Sequence, residues 1–294
     1  MMEASFAMGV FDGVHQGHRF LISKMIEDAR ERGIPSFIVT FSIDPDELFL
    51  PAERQRKLMS NQMRLATLDS LGADGVVVLP FTHELANTDP FDFLDGILCG
   101  IFEPRSIHVG EDFHFGAKAK GDLALIEGWG AQRGCAVTGY PLLELDGAAV
   151  SSTRIRDLLE RGDMEEARLL LGQDFMVEGH VVHGRGVGGR MGIPTANVQP
   201  VCHYTKLLEG VYAGYALVGD VSHPAVINVG APASFPGAPF AIEAHLLDFQ
   251  GDLYDSDLRL GFVSYLRPQQ RFDSAQELVA TIHGDIQRVR GHLS

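Results

Sequence analysis

The feature that most constrains the fold is a change in hydrophobic periodicity near Gly172. Before that point, short β-branched and aromatic runs alternate with stretches of helical length, as in Ser36–Phe41 (SFIVTF) followed by Asn61–Leu71. This alternation is typical of βαβ units, in which helices cover a parallel sheet. Parallel sheets bind ligands at the carboxyl ends of their strands, so the segments after each strand are the first candidates for a site.

The same pattern predicts the individual elements of this first part. The predicted strands are Ser5–Gly9, Ser36–Phe41, Gly75–Leu79, Ser106–Gly110 and Ala136–Tyr140. The predicted helices are Gly17–Arg32, Asn61–Leu71, Phe91–Ile101, Leu123–Arg133, Ser152–Arg161 and Met164–Leu171. Ser151 and Asp163 are the expected N-caps of the last two helices.

After Gly172, predicted strands follow one another directly and are separated by turns rich in Gly and Pro. These strands are Val177–His183, Gly210–Val218, Pro224–Val229, Phe240–Phe249 and Leu258–Leu266. A helix from Ser274 to about Arg290 follows, with Asp273 or Ser274 as its cap. The pattern predicts a small antiparallel barrel closed by a C-terminal helix, with a domain boundary near Gln173–Met176.

Charge and composition argue against several classes of protein. The net charge is −15, and the chain lacks the clusters of basic residues that are typical of a nucleic-acid binder. No apolar run is long enough to cross a membrane. Three widely spaced cysteines, with no signal peptide, favour a reducing cytoplasmic location. We expect no nucleic-acid or membrane partner, and self-association is left open. An acidic protein that binds phosphates must use local positive character, from helix N-termini, a few Arg or Lys side chains and Mg²⁺.

The first candidate site is GVFDGVHQGH (Gly9–His18), directly after the first strand. His15 and His18 are three positions apart, and Gly17 lets the backbone approach a ligand closely. Imidazoles and glycines at a strand-to-helix turn predict a phosphate site next to the positive end of a helix. Two alternatives are a chance pair of surface histidines and a metal site, although no third ligand lies nearby in sequence.

Two further segments support an anion site in the first part. VGEDFHFG (Val109–Gly116) follows another strand, at the edge where a parallel sheet binds its ligands. SSTRIR (Ser151–Arg156) combines hydroxyl donors, backbone N–H groups and a guanidinium at a helix start. Taken alone, Ser151 is an ordinary helix cap.

The second part contains GHVVHGRGVGGRMGIPTAN (Gly179–Asn197), which is neither a Walker A loop nor a Rossmann fingerprint. Its glycines either wrap phosphates or form turns of the barrel. Thr195 and Asn197 offer hard oxygen donors that suit Mg²⁺. In the later strand AIEAHLLDF, Glu243 shares one face with His245 and Leu247 and is a candidate general base. Its alternative is an ordinary solvated strand residue.

Taken together, these segments resemble the prokaryotic bifunctional riboflavin kinase/FAD synthetase family. FDGVHQGH, VGEDFHFG, SSTRIR and LLERGDMEEARLLLG resemble its adenylyltransferase domain. PTAN, GVYAG, VINVG, IEAHLLDF and GDLYDSDLRLGFVSYLRPQQRFDSAQEL resemble its riboflavin kinase. The resemblance implies an N-terminal Rossmann-like nucleotidyltransferase domain with a parallel sheet, residues 1–172. It also implies a C-terminal small antiparallel β-barrel with a C-terminal helix, residues 173–294.

The resemblance further implies phosphorylation of riboflavin to FMN by ATP, then adenylylation of FMN to FAD with release of pyrophosphate. Riboflavin, FMN and ATP would be the substrates, and Mg²⁺ the cofactor. In the first domain, the resemblance implies that His15 and His18 bind the α-phosphate. It implies that the β- and γ-phosphates are bound by Ser152, Thr153 and Arg156. Other implied nucleotide contacts are Gly9, Phe11 and Gly17. Phe113 and Phe115 would line the flavin pocket, with simple packing as their alternative. Asp112, grouped with these flavin residues, would orient nucleotide or Mg²⁺, with a structural role at a turn as its alternative. In the second domain, the implied nucleotide-binding residues are Gly184, Gly188 and Gly192, the metal ligands are Thr195 and Asn197, and the base for the ribityl 5′-hydroxyl is Glu243.

The chain departs from the family pattern at several positions. Val10 replaces the Asn of GNFDGVH, and Ile43–Asp44–Pro45 replaces PHP, which puts an acidic Asp44 near the expected nucleotide mouth. In the second part, Pro232–Phe235 replaces RPTF and Asp255 replaces the Gly of DLYG. These departures define one alternative function, a riboflavin kinase with a degenerate adenylyltransferase domain. A flavin-binding or regulatory protein without turnover is another.

Overall fold

The structure is a computed structural model, and it describes residues 2–184, 189, 192–231 and 240–292. The chain divides into two compact units. The first comprises Met1–Gln55 and Asn61–Ser152, and the second comprises Arg56–Ser60 and Thr153–Ser294. The limits 1–172 and 173–294 remain a prediction about which residues serve each activity.

The first unit is built on a five-stranded parallel sheet, as the sequence predicts. The strands are β1 (Glu3–Met8), β2 (Ser36–Phe41), β3 (Gly75–Leu79), β4 (Glu103–Gly110) and β5 (Ala136–Tyr140). Their order is β3-β2-β1-β4-β5. The chain therefore winds outward from β1 in one direction and then reverses direction at β4. This reversal opens a crevice between the carboxyl ends of β1 and β4.

Helices cover this sheet, and a short hairpin follows it. The helices are α1 (Gln16–Arg32), α2 (Pro45–Phe49), α3 (Asn61–Asp69), α4 (His83–Ala86), α5 (Pro90–Asp92), α6 (Cys99–Ile101) and α7 (Leu123–Arg133). Single 3₁₀ turns are Asp12–Val14, Ala52–Arg54 and Ala117–Ala119, and the hairpin strands are β6 (Glu144–Leu145) and β7 (Ala148–Ala149). Among the residues that the structure describes, no helix is both long and apolar enough to cross a membrane.

The predicted continuous helix Phe91–Ile101 is partly wrong, because its centre is a π-helix, Phe93–Leu98, between α5 and α6. Asp95 in this segment accepts a hydrogen bond from the Trp129 indole at 2.7 Å. That contact joins segments far apart in sequence, so the local apolar spacing does not reveal it.

The core of the first unit lies between the sheet and its helices. Its buried side chains are mostly those that the strand and helix periods place inward, including Phe6, Val39, Leu94, Leu98, Ile107, Val109, Ile126 and Trp129. Burial of this apolar surface stabilises the sheet and keeps the carboxyl ends of its strands in register.

The second unit is a closed six-stranded barrel with helices, and the predicted barrel is confirmed. Two helices, α8 (Ser152–Arg161) and α9 (Met164–Leu171), precede it. The strands are β8 (Phe175–Val182), β9 (Ala196–Pro200), β10 (Gly210–Val218), β11 (Val221–Gly230), β12 (Ala241–Leu246) and β13 (Asp257–Arg267), and the C-terminal helix is α10 (Ala275–His292). The barrel order is β10-β11-β12-β9-β8-β13, with antiparallel neighbours.

One strand and two helix caps of this unit compare differently with the sequence predictions. Strand β9 has no counterpart among the predicted strands, because its first residues, Ala196 and Asn197, were interpreted only as part of the metal-binding PTAN motif. Asp163 occupies the N-cap position of α9, but its side chain makes no capping hydrogen bond. Ser274 is a cap as predicted, because its Oγ accepts from the Glu277 backbone N–H at 3.1 Å.

A buried ion pair fixes α10 to the barrel. Asp285 accepts hydrogen bonds from Nε and Nη2 of Arg267, with the shortest distance 2.7 Å. The Asp285 side chain is only 1% exposed. Apolar side chains of α10 and the barrel unit also pack together, namely Val211, Ala213, Val226, Leu247, Leu266, Ile286 and Val289.

We expect Asp285→Ala to lower the free energy of unfolding of the barrel by about 3–5 kcal/mol, because it leaves the Arg267 charge buried without its carboxylate. Urea denaturation followed by far-UV circular dichroism measures this change. The matched control is Arg290→Ala on the same helix, whose pair with Asp248 is exposed and is expected to contribute less than about 1 kcal/mol. Equal losses in the two variants would contradict the assignment.

Candidate active sites

Two segments predicted to form a site, the one after β1 and the one after β4, begin at the same edge of the sheet in the first unit. Strands β1 and β4 pair in parallel, with Ala7 opposite His108, so their carboxyl ends meet at one edge of the sheet. The segment Gly9–His18 leaves β1 there, and the segment Glu111–Gly116 leaves β4 beside it. Ligands of doubly wound sheets bind at such a reversal of strand order.

The turn between β1 and α1 has an unusual backbone. Phe11 and Val14 both have positive φ angles, 59° and 42°. For a β-branched residue such as valine this conformation is a genuine outlier. Such strain persists where the surrounding structure holds it, and it concentrates at functional sites. The turn ends at His15, which occupies the N-cap position of α1.

His15 and His18 are brought together as the sequence predicts. Their rings stack with centroids 3.6 Å apart, and Phe11 meets the His18 ring edge-on at 5.2 Å. Burial, and secondarily the neighbouring His15, lower the pKa of His18 well below its ordinary value of 6.5. A neutral His18 ring therefore carries one donor and one acceptor at neutral pH.

His18 Nδ1 is buried and has no hydrogen-bond partner among the described residues. Buried polar atoms in native proteins are nearly always satisfied, by protein, water or ligand. The nearby N-terminus of α1 adds partial positive charge. Together these features suit the binding of an anionic group at the mouth of the crevice.

The glycines of the turn make room for its aromatic rings. A Cβ at Gly17 would lie 3.2 Å from the His15 ring, and one at Gly9 would lie 2.9 Å from the Phe11 ring. Gly17 therefore has a local reason to be glycine beyond the predicted approach of the backbone to a ligand. The nucleotide contacts of Gly9, Phe11 and Gly17 remain predictions.

The SSTRIR segment spans the junction of the two units. Ser152 belongs to the first unit, and its Oγ donates to the Asp12 carbonyl at 3.3 Å, so its hydroxyl lies against the histidine turn. Thr153 and Arg156 belong to the second unit, where Arg156 Nε donates to the Arg56 carbonyl at 2.7 Å. The roles of these three side chains toward phosphates remain predictions.

Sequence reasoning missed the segment Arg56–Ser60, which packs in the second unit. Arg56 Nη1 lies 2.7 Å from a Glu160 carboxylate oxygen, and the Thr205 hydroxyl donates to the Arg56 carbonyl at 3.0 Å. These contacts tie the segment to α8 and to the loop between β9 and β10. A stretch of mixed polar and apolar residues without clear periodicity gave no sequence signal for this contact.

The loop after β4 presents the predicted flavin residues differently. Asp112 is exposed, Phe113 is half-buried, and Phe115 is buried. The rings of Phe113 and Phe115 stack with centroids 5.7 Å apart, and Phe115 also contacts Phe93 in the core. Phe115 therefore contributes to packing whatever its relation to flavin, and the flavin contacts of all three residues remain predictions.

Asp44, predicted near the nucleotide mouth, is a buried residue. It occupies the N-cap position of α2, where its backbone N–H donates to Glu47 Oε1 at 2.9 Å. Its Oδ1 also lies 3.9 Å from Nε of Arg64. Arg64 is fully buried and was not recognised from the sequence, because a lone arginine in a helix is usually a surface residue.

The candidate site of the barrel is a row of polar residues on three neighbouring strands. Glu243 on β12 lies opposite Asn197 on β9 and opposite Asn228 on β11. Side chains directly opposite each other in antiparallel strands share one face and approach closely. Ile242 and Ala244, on either side of Glu243, are buried, so Glu243 faces away from the barrel interior. Asn228 was missed, although VINVG was part of the resemblance.

The PTAN segment is anchored beside this row. His245 Nδ1 donates to the Pro194 carbonyl at 2.7 Å, which ties the start of PTAN to β12. The Asn197 amide packs against Gly184, where an added Cβ would lie 2.1 Å from its Nδ2. This close approach explains why residue 184 is glycine.

Two of the remaining predicted positions, Gly192 and Asp255, have positive φ angles. Gly192 has a positive φ of 77°, a conformation that favours glycine. Gly188 and Pro232–Phe235 lie outside the described residues. Asp255 has a φ of 58° where the family has glycine, and aspartate tolerates this left-handed conformation better than most residues.

The predicted metal ligands Thr195 and Asn197 offer donor groups that fit a magnesium ion. The Thr195 hydroxyl and the Asn197 amide oxygen are neutral hard donors, and Mg²⁺ prefers oxygen ligands, keeps several waters and shares phosphates. The described residues contain no group of three or more His, Cys, Asp or Glu arranged for a metal. Both donors suit a hydrated Mg²⁺ ion that also binds phosphate oxygens.

Comparison with known proteins assigns these two sites to one family. The FAD synthetase family matches residues 2–154, and the riboflavin kinase family matches residues 171–293. A bifunctional riboflavin kinase/FMN adenylyltransferase of Pseudomonas fluorescens is 37% identical, covering 96% of this chain and 91% of its own length. The chain belongs to the bifunctional riboflavin kinase/FMN adenylyltransferase family.

A second relative and one solved structure are also similar to this chain over nearly its full length. The bifunctional riboflavin kinase/FMN adenylyltransferase of Escherichia coli (strain K12) is 34% identical, covering 95% of this chain and 89% of its own length. A solved structure described as a macrolide-efflux protein from Streptococcus pneumoniae is 26% identical, with a TM-score of 0.86 and coverage of 98% of this chain and 94% of that one.

We expect Gly17→Ala to lower the rate of FMN adenylylation by about tenfold, because the new methyl group displaces the ring of His15, a predicted α-phosphate ligand, and a small misplacement of such a group is costly. Formation of FAD from FMN and ATP, measured by chromatography, provides the test. The matched control is Gly128→Ala in α7, where the added Cβ meets no atom within 4 Å. This control gains up to about 1 kcal/mol of helix stability and keeps its activity. An unchanged rate in Gly17→Ala would show that its ring contact is unimportant.

Proposed function

We propose that this chain phosphorylates riboflavin to FMN with ATP in its barrel unit and adenylylates FMN to FAD in its parallel-sheet unit. Membership of the bifunctional family supports both activities. The observation that supports the kinase most directly is the pairing of Glu243 with Asn197 on adjacent strands. For the second reaction it is the stacked histidine pair at the reversal of strand order.

For adenylyl transfer, a phosphate oxygen of FMN attacks the α-phosphorus of ATP, and the bond to the bridging oxygen of pyrophosphate breaks. Such transfers need positioning and charge stabilisation rather than a protein nucleophile. We assign His15 and His18 to the α-phosphate oxygens, where hydrogen bonds stabilise the developing charge. Ser152, Thr153 and Arg156 are assigned to the departing pyrophosphate.

For the kinase, the ribityl 5′-hydroxyl oxygen attacks the γ-phosphorus of ATP, and ADP leaves. Glu243 accepts the hydroxyl proton, a role that suits a half-buried carboxylate directly opposite Asn197. Thr195 and Asn197 are the proposed ligands of Mg²⁺, held in place by strand β9 and by the His245 contact. When bound, the ion neutralises phosphate charge.

The domain that forms FAD is assigned to residues 1–172 and the domain that forms FMN to residues 173–294. Gly184, Gly188 and Gly192 are assigned to the nucleotide of the kinase. A cytoplasmic location and the absence of nucleic-acid and membrane partners stay predictions from the sequence.

Replacing Glu243 with Gln is expected to lower the riboflavin kinase rate by about 100-fold or more, since general-base catalysis typically contributes that much. Riboflavin binding, measured by fluorescence quenching, stays intact because the two side chains have nearly the same shape. The control is Asp257→Asn on β13, whose carboxylate is exposed. Unchanged turnover in the Glu243 variant would remove Glu243 as the base.

Replacing His18 with Ala is expected to lower FAD formation by about 100-fold or more, because a hydrogen bond to the developing charge is lost. FMN formation from riboflavin in the same protein is the internal control and stays at the wild-type rate. Product analysis over time, started separately from riboflavin and from FMN, measures both reactions. A wild-type protein that accumulates FMN without FAD would instead support the kinase-only alternative.

A further inference from the structure

Arg64 is a buried cation at the carboxyl ends of two strands. It lies on α3 and is 0% exposed. Its Nη1 donates to the Val10 carbonyl and to the Thr40 hydroxyl, both at 2.7 Å, and its Nη2 donates to the Phe41 carbonyl at 2.6 Å. A rigid guanidinium fork therefore joins the end of β1 to the end of β2.

The Val10 carbonyl, directly before the strained turn, accepts two side-chain hydrogen bonds. Arg64 and the Thr40 hydroxyl both donate to it, the second at 3.3 Å. Phe11 and Val14, with their positive φ angles, follow immediately and deliver His15. Because a strained conformation persists only where its surroundings determine it, the groups that hold Val10 also limit where the histidine rings lie.

Arg64 also compensates an acidic surrounding. Burial lowers the pKa of the Arg64 guanidinium, while the nearby carboxylates of Asp44, Asp12 and Glu47 raise it. Asp44 stands where the family pattern has histidine. The buried cation offsets these negative charges next to the edge of the sheet where a triphosphate is expected to bind.

We propose that Arg64 is a positioning residue for FMN adenylylation, which holds the Val10 carbonyl and thereby sets the location of the stacked His15 and His18 rings. This inference rests on the proposed roles of these histidines. It assigns no contact between Arg64 and substrate. Its effect passes through the backbone of the turn.

The test is Arg64→Lys, which keeps the charge but replaces the rigid fork of two donor nitrogens with a single ammonium nitrogen on a flexible stem. We expect kcat for FAD formation to fall about 10- to 100-fold, while KM for ATP changes less than about threefold, because alignment rather than charge is lost. The ring NMR signals of His15 and His18, in protein with isotope-labelled histidine, are expected to shift. Riboflavin kinase activity of the same protein stays unchanged.

Thr40→Val is the second variant, because it loosens the same carbonyl without altering charge and nearly preserves shape. We expect a smaller fall in kcat in the same direction. It also keeps the proposal testable if Arg64→Lys fails to fold. The matched control is Arg32→Lys, an exposed arginine paired with Asp28 at the end of α1, for which FAD formation is expected to be unchanged.

Wild-type kcat and unshifted histidine signals in the folded variants, even with reduced thermal stability, would overturn the proposal and leave Arg64 a purely structural residue. The proposed function fails separately. If His18→Ala retains FAD formation, the histidine assignment is wrong, whereas loss of FAD formation in His18→Ala with full activity in Arg64→Lys and Thr40→Val removes only the positioning role.

Discussion

The parallel pairing of β1 with both β2 and β4 is the constraint on which the first unit depends. Because β1 lies at the reversal of strand order, the chain that leaves it enters the crevice directly. Its turn is then held from the side of β2, through Thr40 and Arg64, and meets Ser152 through the Asp12 carbonyl. The histidine pair is therefore a product of sheet topology and of hydrogen bonds to a single short turn.

In the barrel, the candidate residues are brought together by strand register rather than by a crevice. Since opposite residues in antiparallel strands share a face, the pairing of β12 with β9 and β11 aligns Asn197, Glu243 and Asn228. A shift by one residue would turn Glu243 inward and expose Ile242 and Ala244. Closure of the barrel prevents such a shift, and the buried Arg267–Asp285 pair fixes the C-terminal helix against its wall.

Much of this architecture could be predicted from the sequence, for particular reasons. The limits of β2, β3, β5, α7, α8, α9 and β10 were predicted without error, because apolar period and turn residues both mark them. Strand β9 was missed because its Asn197 was interpreted only as a metal ligand of the PTAN motif. The π-helix was missed because it has no apolar period of its own. Arg64 was missed because its burial depends on acceptors contributed by β1 and β2, which no local pattern displays.

The sequence by itself determined the two architectures, the family and the identity of most candidate chemical groups, since these depend on local periodicity and on short motifs. Only the tertiary structure decided which of these groups meet. It stacked His15 on His18, paired Glu243 with Asn197 and buried Arg64 and Asp44 beside the histidine turn. The physical reason is that register, burial and counter-charge are properties of neighbours in space, and each of these contacts depends on how separate elements pack.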